Sequence, residues 1–473
     1  MRSIYCLVFS FVLLAATEFL SAQTLEPRPL FVEGYTSQLS YAPGDEVALC
    51  VSSTAPKYAV EIARVGAKRE VLLAKKDIEG KEHPVPENCS SHGCGWPASF
   101  KFKIPAEWKS GYYTIALSAE DRGGQFVQRG RRTAASEAFF VVRAAEPGKT
   151  SKTLIQLCTN TYNAYNNWGG HSLYGFHARA KLQGHRVSFD RPPSSQFNNW
   201  EQPFVAWAEN NDYTLEYAVN SDLEFRPELL AAYKLVLSVG HDEYWSSPMR
   251  DNLEAFIAKG GNVCFFSGNT CCWQVRSEDD GRALTSWKQW YNMDPVFQTS
   301  DHRLLSTAWS HHLVGRPENT LTGVGFLWGG YHRSHGQFMN GPAAFTVHRP
   351  EHWVFAGTNL NRDDQFGGKD TIVGYECDGC EFALVNGQPT PTGSDGTPKD
   401  FLILGTCPAR WHPDDAFWYE RFDHNRTGAA VMGLYTRGGA VFTCGSTDWS
   451  HGLRGNDPHV TRITKNLLQR LGE

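Results

Sequence analysis

The chain has 473 residues, enough for two or more domains with cores of their own. Hydrophobic residues make up 41% and charged residues 20%, the balance of a soluble globular protein rather than a disordered one. A formal net charge of -5 leaves no basic footprint, which excludes nucleic acid as an expected partner.

The N-terminus carries its own signal. Arg2 precedes the apolar run Ile4 to Ala16, and Leu20-Ser21-Ala22 offers small residues for cleavage ahead of Gln23. Residues 1–22 therefore read as a secretory signal peptide, and the protein is expected to be secreted or periplasmic. No later segment is long and apolar enough to suggest a membrane span. Without Cys6, 11 of the 12 cysteines remain, an odd number that leaves at least one thiol unpaired in an oxidising compartment. Cys89 and Cys94 are spaced for a small loop, and Cys377 and Cys380 for a local pair or a metal. Asn88 and Asn425 head glycosylation sequons.

Residues 24–147 read as an all-β sandwich of Ig-like type. Short alternating runs at 59–64, 98–104, 112–118 and 138–142 are separated by turn residues at sandwich spacing. Glu146-Pro147-Gly148-Lys149 suits a linker. From residue 150 to 473 strands and helices alternate, which predicts an α/β doubly wound domain, Rossmann-like or amidotransferase-like. Its centre is the run 235–239, buried-strand material that stops at Gly240 and is followed by His241-Asp242-Glu243-Tyr244-Trp245. Ser246, Ser247 and Pro248 then start a helix that the Gly260-Gly261 pair ends, and a second apolar strand runs from Asn262 to Ser267. A strand–helix–strand unit of this kind closes with its strands parallel, so the HDEYW pentapeptide and Asn269 leave the sheet at one edge. Residues 275–370, rich in Trp, His and Gly, read as an irregular insertion over that edge. Strands are expected again at 371–376, 401–406, 430–436 and 440–444, the last two as a hairpin, and a helix at 458–471 closes the domain.

The chemistry narrows by exclusion. No G-x-S-x-G elbow exists, and His241 and Asp242 occupy the place where such a nucleophile would stand. His241-Asp242-Glu243 with Cys377 and Cys380 mimics a zinc deaminase signature, but the halves are far apart and the prolyl-cysteine context is missing. Glu243 beside His241 and nearby tyrosines offers hard oxygen donors, which suit ferric iron better than zinc. The plain alternative is that Glu243 pairs with an arginine and His241 is core packing.

Four segments resemble the large (β) subunit of N,N-dimethylformamidase and its relatives: Thr161 to Asn166, Gly240 to Ser246, Ser267 to Thr270 and Gly374 to Glu376. The resemblance covers the chain from about residue 150 to its end, and it implies a mononuclear iron (Fe3+) held by two tyrosines and one glutamate. Matched segment by segment, the ligands are Tyr165 (rival Tyr162), Tyr113 (rival Tyr112) and Glu243. His241, Asn269 and Glu376 are implied to surround them as catalytic groups. Tyr244 and Trp245 fall as wall rather than ligand, and Asp242 gains no role. The implied activity is metal-dependent hydrolysis of the C–N bond of a small linear amide. The implied partners are that amide and a small subunit, with a homo-oligomer also compatible. A secreted carbohydrate- or ligand-binding protein on an inactive scaffold is the competing expectation.

Overall fold

The computed structural model describes residues 29–121, 132–332, 339, 341–411 and 427–473. The signal-peptide segment and Asn425 lie outside these residues.

The N-terminal region is a two-layer sandwich. One sheet orders Val32–Thr36, Glu46–Ser53 and Ala98–Lys103; the other orders Ser40–Tyr41, Arg132–Val142, Gly111–Asp121, Lys57–Val65 and Arg69–Glu79. Val47, Leu49 and Val51 from the first meet Val60, Ile62, Ile115, Leu117 and Phe140 from the second in one buried cluster. The period-two alternation of each strand supplies these residues, and burying each is worth roughly 1.5–3 kcal/mol before entropy is counted.

The rest of the chain is built on a nine-stranded sheet. Glu216–Val219, Thr153–Leu157, Leu235–His241, Asn262–Gly268 and Gly439–Thr443 run parallel. Thr427–Arg437, Leu402–Arg410, Phe345–Val347 and Gln365–Phe366 extend it antiparallel. The expected doubly wound α/β domain is therefore corrected: strand content is 36% against 21% helix, spread over several sheets, and the architecture is predominantly β. Two physical reasons stand out. The segment at 275–370, expected to be irregular, contributes the strands Phe345–Val347 and Gln365–Phe366 to the main sheet. Between Glu216–Val219 and Leu235–His241 the crossover holds only the six-residue helix Asn220–Phe225 and the 3-10 helix Pro227–Ala232. The hairpin around Gly438 forms as expected, with Arg437 opposite Gly439. The strand expected at 371–376 does not form. There the Gly374 and Glu376 amides donate to the Ser446 and Thr447 hydroxyls instead of to a ladder, and a strand begins only at Cys377.

The central strand–helix–strand unit does form. Leu235–His241 pairs in parallel with Asn262–Gly268, with His241 opposite Gly268. Between them lies the helix Ser247–Ala258, whose first turn is capped by Ser246 accepting from the Met249 amide. Gly240 has φ +84, and a side chain there would collide with Trp200. Glycine thus lets the Trp200 side chain pack on the backbone directly before His241. Three residues on from His241 the chain enters a second sheet, where Tyr244–Ser246 runs parallel to Trp273–Glu278. The pentapeptide is a bridge between two sheets.

All eleven cysteines among the described residues are buried, and neither Cys89–Cys94 nor Cys377–Cys380 forms a disulfide.

Candidate active site

His241 and Asn269 leave adjacent parallel strands at the same edge, and Glu376 arrives from the loop before Cys377–Gly379. All three are buried. The His241 Nε2 lies 2.7 Å from Glu376 Oε2 and 3.2 Å from Glu243 Oε2. Burial alone would push the imidazole toward neutrality, but the two carboxylates outweigh it and hold its pKa up at about 10. Glu376 moves up from the usual carboxylate range, mainly through burial and against the pull of His241, and Asn269 hydrogen-bonds to its side chain. Glu243 goes the other way: His241, Lys288 and Tyr174 overcome its burial and lower its pKa. Two buried carboxyls around one imidazole are thereby driven in opposite directions, the pattern that separates an acid from a base.

Asn269 sits in the left-handed region at φ 51, directly after Gly268. A side chain at Gly268 would meet the Thr447 amide nitrogen at 2.5 Å and the Glu376 carbonyl at 2.6 Å. Only glycine lets the segment carrying Glu376 approach this closely.

Glu243 is the hub. Its amide donates to Thr161 Oγ1 at 3.0 Å, which fixes the backbone. Its carboxylate accepts from the Trp273 indole at 2.7 Å and from the Tyr174 hydroxyl at 2.9 and 3.0 Å. Tyr174 also bonds the Tyr165 hydroxyl at 2.8 Å, and the two rings lie 4.2 Å apart, tilted by 32°. Both phenols are pushed well above their usual range by burial and by the Glu243 charge. Tyr165 is half-buried and lies 5.5 Å, ring to ring, from His241. Trp200 and Tyr375 pack on the other sides of the imidazole and also line a cavity of about 360 Å³ that opens to solvent.

Of the residues singled out in the sequence, Tyr165, Glu243, His241, Asn269 and Glu376 come together here. Tyr113 does not: its hydroxyl donates to the Lys109 carbonyl at 2.6 Å, and its ring stacks on Trp108 inside the sandwich. Tyr112 bonds Ser195 at 2.9 Å and stacks on Phe197, while Tyr162 donates to Glu201. Asp242 lies beneath the site, accepting from Ser238 at 2.8 Å, from Asn220 at 3.4 Å and from Gln156. Burial lifts its pKa to about 6. Tyr174 is the residue that sequence reasoning missed. Its position nine residues after Tyr165, in the same aromatic-rich loop, was the available signal.

These donors fit a hard cation. Among the described residues no group of three His, Cys, Asp or Glu side chains could hold a metal, so a cation here would depend on phenol oxygen. Two phenols and one carboxylate do converge, with Tyr174 in the place expected of Tyr113.

A family profile described as N,N-dimethylformamidase beta subunit-like, C-terminal, matches residues 59–462. The chain belongs to that family. The match begins well inside the sandwich, so the family region spans both parts of the chain. Two N,N-dimethylformamidase beta subunits are similar to it. That of an Alcaligenes species is 25% identical over 80% of this chain and 54% of its own length. That of Paracoccus aminophilus is 24% identical over 79% of this chain and 54% of its own length. The chain thus spans about half the length of the curated relatives it matches. A sporulation control protein from Bacillus subtilis aligns over 26% of this chain and 52% of its own, at 12% identity and a TM-score of 0.17, too slight a likeness to carry an argument.

Proposed function

We propose that this family member hydrolyses the C–N bond of a small linear amide at the edge where His241, Glu376, Asn269 and Glu243 meet. The reading rests on one observation above all: a buried imidazole held charged between two carboxyls whose pKa values are driven apart. Glu376 takes a proton from the attacking water, and the His241 imidazolium gives one to the departing nitrogen. Asn269, whose side chain hydrogen-bonds to Glu376, supplies a hydrogen bond to the carbonyl oxygen as charge develops on it. Trp200 and Tyr375 stand between the imidazole and the cavity, whose other walls are the polar side chains of Asn198, Asn199, Asp448, His451 and Arg454.

Tyr165, Tyr174 and Glu243 are the residues that would hold a ferric ion. Such an ion would supply Lewis-acid polarisation of the amide carbonyl and a more acidic water. Export rests on the N-terminal segment, and a small partner subunit on the resemblance to proteins named as subunits.

The test is direct. Full-length protein purified with its native metal is assayed for amine release from a panel of formamides and acetamides, beside iron analysis and a visible spectrum. Turnover with one iron per chain and a phenolate-to-iron absorption band supports the reading. A folded, colourless protein without turnover removes it.

A further inference from the structure

Lys288 is fully buried, an unusual state for a lysine, and its backbone sits in the left-handed region at φ 54. A β-carbon in that conformation carries strain, and strain of this kind persists where surrounding structure over-determines it. The turn is held by the Lys288 amide donating to the Ser306 carbonyl at 2.9 Å. It delivers the ammonium into a cage of aromatic rings, 3.4 Å from the Tyr174 ring centroid and 4.7 Å from that of Trp273. The same nitrogen bonds the Tyr244 hydroxyl at 2.9 Å.

A chain of hydrogen bonds leads from there to the site. Tyr244 donates to the Tyr174 hydroxyl at 2.7 Å, and Tyr174 reaches Glu243 at 2.9 Å and Tyr165 at 2.8 Å. Its direction is fixed at both ends. An ammonium only donates, and an ionised carboxylate only accepts, so every hydroxyl between them must point toward Glu243. Chains with one consistent direction polarise each other and strengthen. Along this chain Lys288 reaches Glu243 by way of two phenols, and its charge also acts on the carboxylate through space.

We propose that Lys288, from the segment folded over the sheet edge, is a positioning residue for the oxygen cluster of Tyr165, Tyr174 and Glu243. It clamps the Tyr174 ring by its charge and sets the direction of the hydrogen bonds through Tyr244. This inference rests on the amidase reading and adds a role for a residue outside the proton-handling group.

The experiment compares Lys288→Met and Tyr244→Phe with the unaltered full-length protein. Tyr244→Phe leaves the ammonium in place and cuts the chain at its first link, so it decides the matter even where Lys288→Met fails to fold. Ferric affinity, the visible absorption band and the separate values of kcat and KM are measured on each folded protein. Loss of a group that orients a metal's ligands costs about tenfold or more in affinity or activity. The expected result is that fall in ferric affinity and in kcat for both variants, a shifted absorption band, and KM within about twofold. An unchanged band and affinity in Lys288→Met overturns the proposal, as does a Tyr244→Phe protein that behaves like the parent. Should the parent itself bind no iron and cleave no amide, the amidase reading fails first and this inference with it. A parent that does both, beside silent variants, removes the inference alone.

Discussion

His241 Nε2 lies 2.7 Å from Glu376 Oε2, both side chains being almost without solvent contact. Neither group would stay charged alone at that depth; each gives the other its reason to ionise. The pair carries a pH signature whose sign follows from its shifts. The imidazole is raised from 6.5 to about 10. Its contribution to stability is complete below about pH 6.5 and drains away as pH rises toward about 10. Thermal unfolding followed from pH 6 to pH 10.5 should show a Tm that declines across that window. In Glu376→Gln the decline should flatten. A wild-type Tm that is level or rising over the window contradicts the charged pair.

The same substitution separates protonation chemistry from binding. Glu376→Gln keeps the shape and removes the proton acceptor, and loss of a general base costs about 10²–10⁴-fold in rate. We expect that loss in kcat with KM within a few-fold, measured on the amide that the parent turns over best. A Gln variant that keeps more than about a tenth of the parental kcat assigns Glu376 to packing instead.

The site was legible where it rides on regular structure. Leu235 to Val239 could only be a buried strand, so His241 and Glu243 had to emerge at its end, and parallel pairing brought Asn269 to the same edge. Tyr174 and Lys288 sit in a loop and a single turn, where no period marks a direction. Tyr113 was misplaced for a reason open to inspection in the strand itself. Tyr113, Ile115 and Leu117 alternate on one face, and that face fills the sandwich core. Tyr112, on the other face, points toward Phe197 and Ser195. The doubly wound expectation failed where strands from the covering segment joined the sheet edge antiparallel, since short strands amid Trp, His and Gly leave no alternation to read.

Asp242, which the sequence left without a role, is a structural post. Its carboxyl gathers donors from Ser238, Asn220 and Gln156 on three segments beneath the pentapeptide. Asp242→Ala strands those donors in a dry interior, at a cost of about 1–3 kcal/mol for each group left unsatisfied. Denaturant unfolding should show a clear loss of midpoint, while kcat per folded molecule at a temperature well below the transition stays within a few-fold. A large kcat loss with unchanged stability would place Asp242 in the chemistry.

The two tyrosines that compete for one place in the oxygen cluster should separate cleanly. Tyr113→Phe deletes one hydroxyl whose partner, the Lys109 carbonyl, lies in the sandwich. It should cost about 1 kcal/mol of stability and leave iron content, absorption band and turnover as they were. Tyr174→Phe deletes the hydroxyl that ties Glu243 to Tyr165. It should cost about 1–3 kcal/mol for each buried partner left unsatisfied, Tyr244 first among them, yet fold, because the ring still packs between Lys288 and Tyr165, and it should remove most bound iron and most turnover. The opposite outcome, iron lost with Tyr113 and kept with Tyr174, would require Tyr113 to leave its stack on Trp108 and reach an edge that Tyr174 already occupies. Iron analysis and the visible spectrum of the two variants, prepared side by side, decide between these placements.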